Sequence, residues 1–411
     1  MKVLYERCCG LDVHKKLIVA CLITPGPDGK SQKELRTFGA MTRNLLDLAD
    51  WLVTTGCTHV AMESTGVYWK PVYNLLEGQF EVLVVNAQHL KAVPGRKTDV
   101  RDAEWIAELL QHGLVRGSFI PDRPQRELRD LTRYRKALIR EKASEVNRVQ
   151  KVLEDANIKL ASVVTDIKGV SARAMLQAIV GGAKDPKALA HLARGRLKEK
   201  LPELERALAG RVTAHHRFLL AEQLAHLEYL EETIERLDTE VEARLRPFHK
   251  ELARVASIPG MGRRTAEVLL AEVGTDLERF PTSRHLASWA GLCPGNHESA
   301  GKRRSGRTRK GSPWLREALV EAAGAARRTK TYLGALYHRL AARRGTKRAI
   351  VAVAHTILVI AYHLLTRRQM YCDLGVNYHD ERDRLGVQRR LVRRLEALGL
   401  EISVQPAPVA A

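Results

Sequence analysis

The chain predicts two fold classes in series, an α/β domain with a mixed sheet followed by an all-α remainder. Three observations carry this. Residues 1–123 alternate short β-branched runs with amphipathic helical stretches. From residue 124 onward, apolar residues recur every three or four positions through long charged segments. The length, 411 residues, exceeds one ordinary core. The composition changes suggest segments 1–123, 124–250, 251–370 and 371–411.

In the first segment "CGLDV" and "LIVACLIT" flank the polar "HKK" and read as a hairpin. "ELRTFGA" is a third strand, and "RNLLDLADWLVTTG" an amphipathic helix stopped by Gly56. "THVAMEST" supplies a fourth strand, "YWKPVYNLLEG" a second helix and "FEVLVVNA" a fifth strand. "GRKTDVRDAEWIAELL" then opens a third helix.

The second segment begins with "LRDLTRYRKALIREKASEVNRVQKVLEDA". Leu220, Leu224, Leu227, Ile234, Leu237, Val241 and Leu245 form a later stripe, so an antiparallel helical hairpin or coiled coil is expected. Smaller helices with Gly and Pro breaks fill 165–210. A spacer or dimerisation arm is the plainer role for the segment. The third segment is helical and basic, and the fourth carries "RLGVQRRLVRRLEALG" before a disordered-looking "QPAPVAA".

Lys and Arg total 68 against 47 acids, a net charge of +21. A globular chain this basic points to a polyanion, first of all nucleic acid, with a membrane surface or the ribosome as alternatives. Six cysteines form neither a C-x-x-C pair nor a zinc spacing, which suits a reduced, cytoplasmic setting. The N-terminus lacks the layout of a signal peptide. The apolar run 349–365 is just short of spanning length and contains His355, Thr356 and His363, so it reads as a core helix and no membrane partner is expected.

Four acids of the first segment share one kind of location. Asp12 lies in the first strand, Glu63 ends the fourth, and Asp99 and Asp102 begin the third helix. Strand ends and the helix starts that follow them converge on one edge of an open α/β sheet. Acids three apart share a helix face. Such oxygens suit Mg²⁺, one or two ions flanking a phosphodiester. Asp99 and Asp102 equally fit a helix cap, and Glu63 fits a solvated strand end. Asp12 needs a partner wherever it points, because its strand is apolar. Taken together the four have the layout of an RNase H-like nuclease core. Lys97 and Arg101 place positive charge where a nucleic-acid backbone would lie.

In the third segment "VASIPGMGRRTAEVLLAEVG" reads as a helix-hairpin-helix, with Gly260 and Gly262 in a turn whose N–H groups can bind phosphate. Further on, Lys302, Arg303, Arg304, Arg307, Arg309 and Lys310 make six of nine residues basic. Glycines 301, 306 and 311 exclude a regular helix, and a flexible phosphate-binding loop is expected. Ser299 precedes Ala300 and Gly301, with room for a phosphate. A serine is a nucleophile only when activated, so a plain loop serine is the simpler reading of Ser299 alone.

In combination "GLDVHKK", "ESTG", "KTDVRDAEWIAELL", "IPGMGRRTAEVLLAEVG", "WAGLCPG…ESAGKRRSGRTRKG…LREALVEAA" and "DLGVNY" resemble the insertion-sequence one-ten family of bacterial transposases, closest to its one-eleven-eleven subgroup. The resemblance covers nearly the whole chain and is weakest over 155–215. It implies a RuvC-like domain of RNase H fold, a coiled-coil arm and a transposase domain. Asp12, Glu63, Asp99 and Asp102 match the DEDD set, with Mg²⁺ as cofactor. Ser299 matches the serine that forms a 5′-phosphoserine bond with DNA. The family's common "S-S-G-G-K" is here Glu298-Ser299-Ala300-Gly301-Lys302, with Glu for a serine and Ala for a glycine. The resemblance further implies donor and target DNA, a guide (bridge) RNA, and a homo-oligomer that assembles to a tetramer with composite active sites. Two other functions fit the residues: a metal-dependent nuclease or junction resolvase in which water attacks, and a non-catalytic nucleic-acid packaging protein.

Overall fold

A computed structural model describes residues 2–26, 30–64, 66–86, 102–295 and 297–404. The described chain divides after Pro121 into two compact units.

In the first unit the strands are β1 (Cys8–Val13), β2 (Leu17–Pro25), β3 (Ser31–Gly39), β4 (His59–Glu63) and β5 (Glu81–Val85). They form one sheet in the order β3-β2-β1-β4-β5. The polar "HKK" turn closes the antiparallel β1–β2 pair, His14 N–H donating to the Leu17 carbonyl. Helices α1 (Thr42–Thr54) and α2 (Trp69–Leu76) provide the crossovers that make β1–β4 and β4–β5 parallel. The sheet is therefore mixed, as the alternation of elements predicts.

Both faces of the sheet are covered at β1, so that strand reads as continuously apolar. Cys9, Leu11 and Val13 face a core with Leu48, Leu52 and Val72 of α1 and α2. Cys8 faces a second core built on α3 (Asp102–Gln111), with Ala61, Ile106, Ala107 and Leu110. At Gly10 a Cβ would collide with the Ala103 carbonyl oxygen and the Ala107 nitrogen. Glycine here lets α3 lie directly on β1.

The second unit is helical. Helices α4 (Arg123–Asp155) and α9 (Ala214–Leu245) run antiparallel, as the ion pairs Glu127–Arg244, Arg135–Asp238, Lys142–Glu231 and Asp155–His216 require. Leu138, Leu230 and Ile234 form their shared seam. The short helices α5 (Leu160–Val163), α6 (Val170–Val180), α7 (Pro186–Ala190) and α8 (Leu201–Leu208) close the tip around Val149, Leu153, Leu220 and Leu227. Thr213 and His216 make a capping box at the start of α9.

Helices α10 (His249–Ala256), α12 (Ser283–Trp289), α13 (Pro313–Ala326) and α14 (Tyr332–Arg344) pack on α15 (Thr346–Arg367), and α11 (Arg263–Val273) packs on α10 and α13. Among described helices α15 alone has the length and hydropathy to cross a membrane. Ala349, Val353, Ala354, Ile357, Leu358 and Ala361 are nevertheless fully buried, which makes it the core helix the sequence predicts. The arm and this helical region form one unit with no break near residue 250, because α11 packs along α4. Arg135 of α4 bonds Glu267 of α11, and Arg133 bonds Glu272 in a bidentate pair. Beyond them α16 (Tyr378–Arg382) and the arginine-rich α17 (Arg384–Glu396) bury no side chain.

Candidate catalytic carboxylates and the serine hairpin

In the parallel β1–β4 pair Leu11 stands opposite Met62, so Asp12 and Glu63 follow at neighbouring positions on the same edge. Side chains alternate along a strand. Asp12 is therefore on the face of Cys8 and Gly10, and Glu63 on the face of Ala61, which is the α3 face in both cases. Helix α3 runs antiparallel to β1: Ala103 and Ala107 lie over Gly10, and the Gln111 carbonyl accepts from Tyr5 N–H. Its first residue, Asp102, consequently lies at the strand end that carries Asp12. One edge and one face thus collect three of the four expected acids.

The partner that Asp12 needs is His14, whose Nε2 lies 3.0 Å from Asp12 Oδ2. That histidine escaped the sequence reading. A D-x-H spacing at the end of a strand was the available signal, since residues two apart share a face. Among the described residues no three His, Cys, Asp or Glu side chains form a metal-binding group. Asp99, Lys97 and Arg101 lie outside the described residues.

The basic segment is not the flexible loop expected. It is a β-ribbon, with β6 (His297–Ser299) paired to β7 (Lys302–Ser305) and Ser299 opposite Lys302. Ala300 and Gly301, at φ 50° and 72°, form the two-residue turn. Positive φ at both central residues matches the right-handed twist of the flanking strands, which is why a hairpin forms where only helix-breaking was foreseen. The bridge Pro294–Thr308 and the bond from Gly295 N–H to the Arg307 carbonyl extend the pairing past a bulge at His297. Ser299 and Lys302 thus stand at the tip, Ser299 immediately before the turn. Arg303 and Arg304 continue β7. Lys302, Arg307, Arg309 and Lys310 are exposed and take part in no ion pair among the described residues.

At the ribbon's base Ser312 caps α13, and its hydroxyl donates to Glu272 Oε2 at 3.1 Å. Glu272 is almost fully buried between this hydroxyl and the Arg133 guanidinium. Nearby, the "IPGMG" turn joins α10 to α11. A Cβ at Gly260, φ 86°, would collide with α13 at Ala322 and Ala326, so packing already requires that glycine. Gly262 is exposed at the N-cap of α11 with nothing near its Cβ position, which leaves it the freer of the two to meet a phosphate.

All six cysteines are free. Burial pushes the Cys8 and Cys57 thiols up to about 12 and Cys21 up to about 11, so these three are thiols at neutral pH and not nucleophiles.

Two family profiles match the chain. One for DEDD proteins of IS110, described as a transposase, covers residues 9–158 and so spans Asp12, Glu63, Asp99 and Asp102. The other, described as the transposase IS116/IS110/IS902 family, covers 252–338 and spans the Ser299 hairpin. The chain is 28% identical to a transposase for insertion sequence element IS1111A of Coxiella burnetii, over 70% of this chain and 72% of that one. It is 27% identical to a probable family 20 transposase of Pseudomonas aeruginosa, over 76% and 85% respectively. A putative transposase of Sinorhizobium fredii is 28% identical over 79% of this chain and 77% of its own length.

Proposed function

Because this chain belongs to the IS110 family of transposases and is a DNA transposase, we propose that it moves insertion-sequence DNA with Ser299 as nucleophile and Asp12, Glu63, Asp99 and Asp102 as a Mg²⁺-binding set. The observation that carries the metal part is the common edge and face of Asp12, Glu63 and Asp102. Hard carboxylate oxygens, with waters and phosphate completing the shell, fit Mg²⁺ better than a softer ion. A bound divalent cation would supply charge stabilisation to the leaving oxygen. His14 orients Asp12 through the 3.0 Å contact.

Ser299 Oγ attacks the scissile phosphorus. The Oγ–P bond forms, the P–O3′ bond breaks, the serine proton leaves to solvent and the departing 3′ oxygen is protonated to a hydroxyl. The result is a 5′-phosphoserine. The backbone position of Ser299 at the tip of the ribbon, one residue before the turn, supports this role. Lys302, Arg307, Arg309 and Lys310, which make no ion pair among the described residues, line the same segment and would hold the flanking phosphates. A guide RNA and a homo-oligomer complete the reading by resemblance, and the net charge of +21 suits two nucleic-acid partners.

Covalent trapping is the test. Incubation with labelled element-end DNA and Mg²⁺ should give a denaturation-resistant protein–DNA adduct that Ser299→Ala abolishes. Asp12→Asn and Asp102→Asn should each lower cleavage at least about a hundredfold, judging by the loss of a comparable transition-state interaction. Wild-type cleavage by Ser299→Ala, with no adduct in either protein, would replace the serine mechanism with attack by water.

A further inference from the structure

A cavity of about 210 Å³ lies in the second unit between α4, α11 and α13. Ile139, Val268, Ala318 and Trp314 give it an apolar wall, interrupted by the hydroxyls of Thr132 and Thr265. Arg135 also lines it and is only 2% exposed. Its Nη1 donates to Asp238 Oδ1 at 2.8 Å and to Glu267 Oε2 at 2.7 Å. The other edge of this guanidinium, Nε and Nη2, has no acceptor among the described residues. Neither atom is among the fully buried polar atoms left without a partner, so the cavity gives solvent or a ligand access to this edge.

The charge balance narrows the ligand. Arg133 is matched by Glu272, Lys136 by Glu317 and Glu321, and Arg264 by Asp238, while Arg135 itself has two carboxylates. A site neutralised in this way has little to offer a free phosphate and favours a neutral group. An apolar cavity of about 150 Å³ takes up benzene, so this one is large enough for a planar heterocycle. The aromatic wall suits a flat ring, and the fork of Arg135 suits two adjacent acceptors on that ring's edge.

We propose that the cavity receives an unpaired guanine base from a bound nucleic-acid strand, with O6 and N7 accepting from Arg135 and the ring lying against Trp314. Guanine is the base whose O6 and N7 offer two neighbouring acceptors, whereas adenine places its amino donor against the arginine. The position suits a strand held by the basic segment, because Trp314 is in the first turn of α13, four residues after Lys310. A base must leave the stack to enter, which favours single-stranded or locally opened substrate. The inference rests on the reading of this protein as a nucleic-acid enzyme and adds a base-selective site to it.

The test uses the full chain and short homopyrimidine oligonucleotides carrying one central guanine, adenine or 7-deazaguanine, as DNA and as RNA, with affinity read by fluorescence anisotropy. The guanine oligonucleotide should bind roughly tenfold more tightly than the adenine one, within the range of a single bidentate pair. The 7-deaza base should fall between them. Val268→Phe and Ala318→Leu, which fill the cavity, should erase the preference and leave adenine-oligonucleotide affinity as it was, with thermal melting confirming their fold. The DNA and RNA series identify which strand supplies the base. Equal wild-type binding of guanine and adenine oligonucleotides overturns this inference and leaves the nucleic-acid reading intact. Binding of none of them overturns both.

Discussion

Ala300 holds a left-handed backbone, φ 50°, at the turn beside the proposed nucleophile, where the resembling family has glycine. A Cβ in that region costs roughly 1 kcal/mol. Ala300→Gly should therefore stabilise the hairpin by about 1 kcal/mol, visible as slower amide exchange over 297–305. Faster exchange there would contradict the turn assignment. A second residue-scale effect concerns His355 in α15, whose pKa burial lowers from 6.5. Its folded value lies below the unfolded one, so the charged form disfavours folding. Its stability contribution is present above the unfolded value and is lost as pH falls towards the lowered folded one. Melting temperature should drop as pH falls below 6.5, and His355→Leu should flatten that slope. An unchanged slope would assign the acid sensitivity to other groups.

Among elements, the junction of β1 with α3 decides where the carboxylates stand. Gly10→Ala drives a methyl into the backbone of α3. A loss of about 3 kcal/mol in denaturant unfolding is expected, with cleavage lost at temperatures where the fold persists. Retained cleavage would mean that α3 need not sit so close. A comparable role falls to the pairing of α4 with α11. Removing Glu272 leaves Arg133 without its bidentate partner and strips the Ser312 cap of its acceptor. Glu272→Ala should cost about 3 kcal/mol, measured by the same unfolding experiment, since breaking a buried pair strands the remaining charge. The first junction joins two elements that each bear a proposed metal ligand, Asp12 of β1 and Asp102 of α3, and the second ties α4 to the helix that Gly262 caps.

For the molecule as a whole, charge sets the behaviour with DNA. Changing Lys302, Arg307, Arg309 and Lys310 together to alanine should reduce the slope of log affinity against log salt by about 3 to 4 on duplex DNA, about 0.9 for each phosphate no longer neutralised. An unaltered slope would remove the ribbon from the interface. The net charge, the order of strands and helices, the long apolar stripes and the core character of α15 were all legible in the chain, because each depends on residues close in sequence. The same holds for Asp12 at the end of β1 and Glu63 at the end of β4. The hairpin at Ser299 was not legible. Alternation is obscured by six cations in nine residues, and its turn depends on a left-handed alanine that propensity disfavours. His14 beside Asp12, Gly10 beneath α3 and the cavity at Arg135 were equally hidden. Local sequence determined which elements form and which acids stand at their ends. Tertiary structure alone decided which face those acids share and which donors line the cavity, because both depend on register and on packing between residues as much as 185 positions apart.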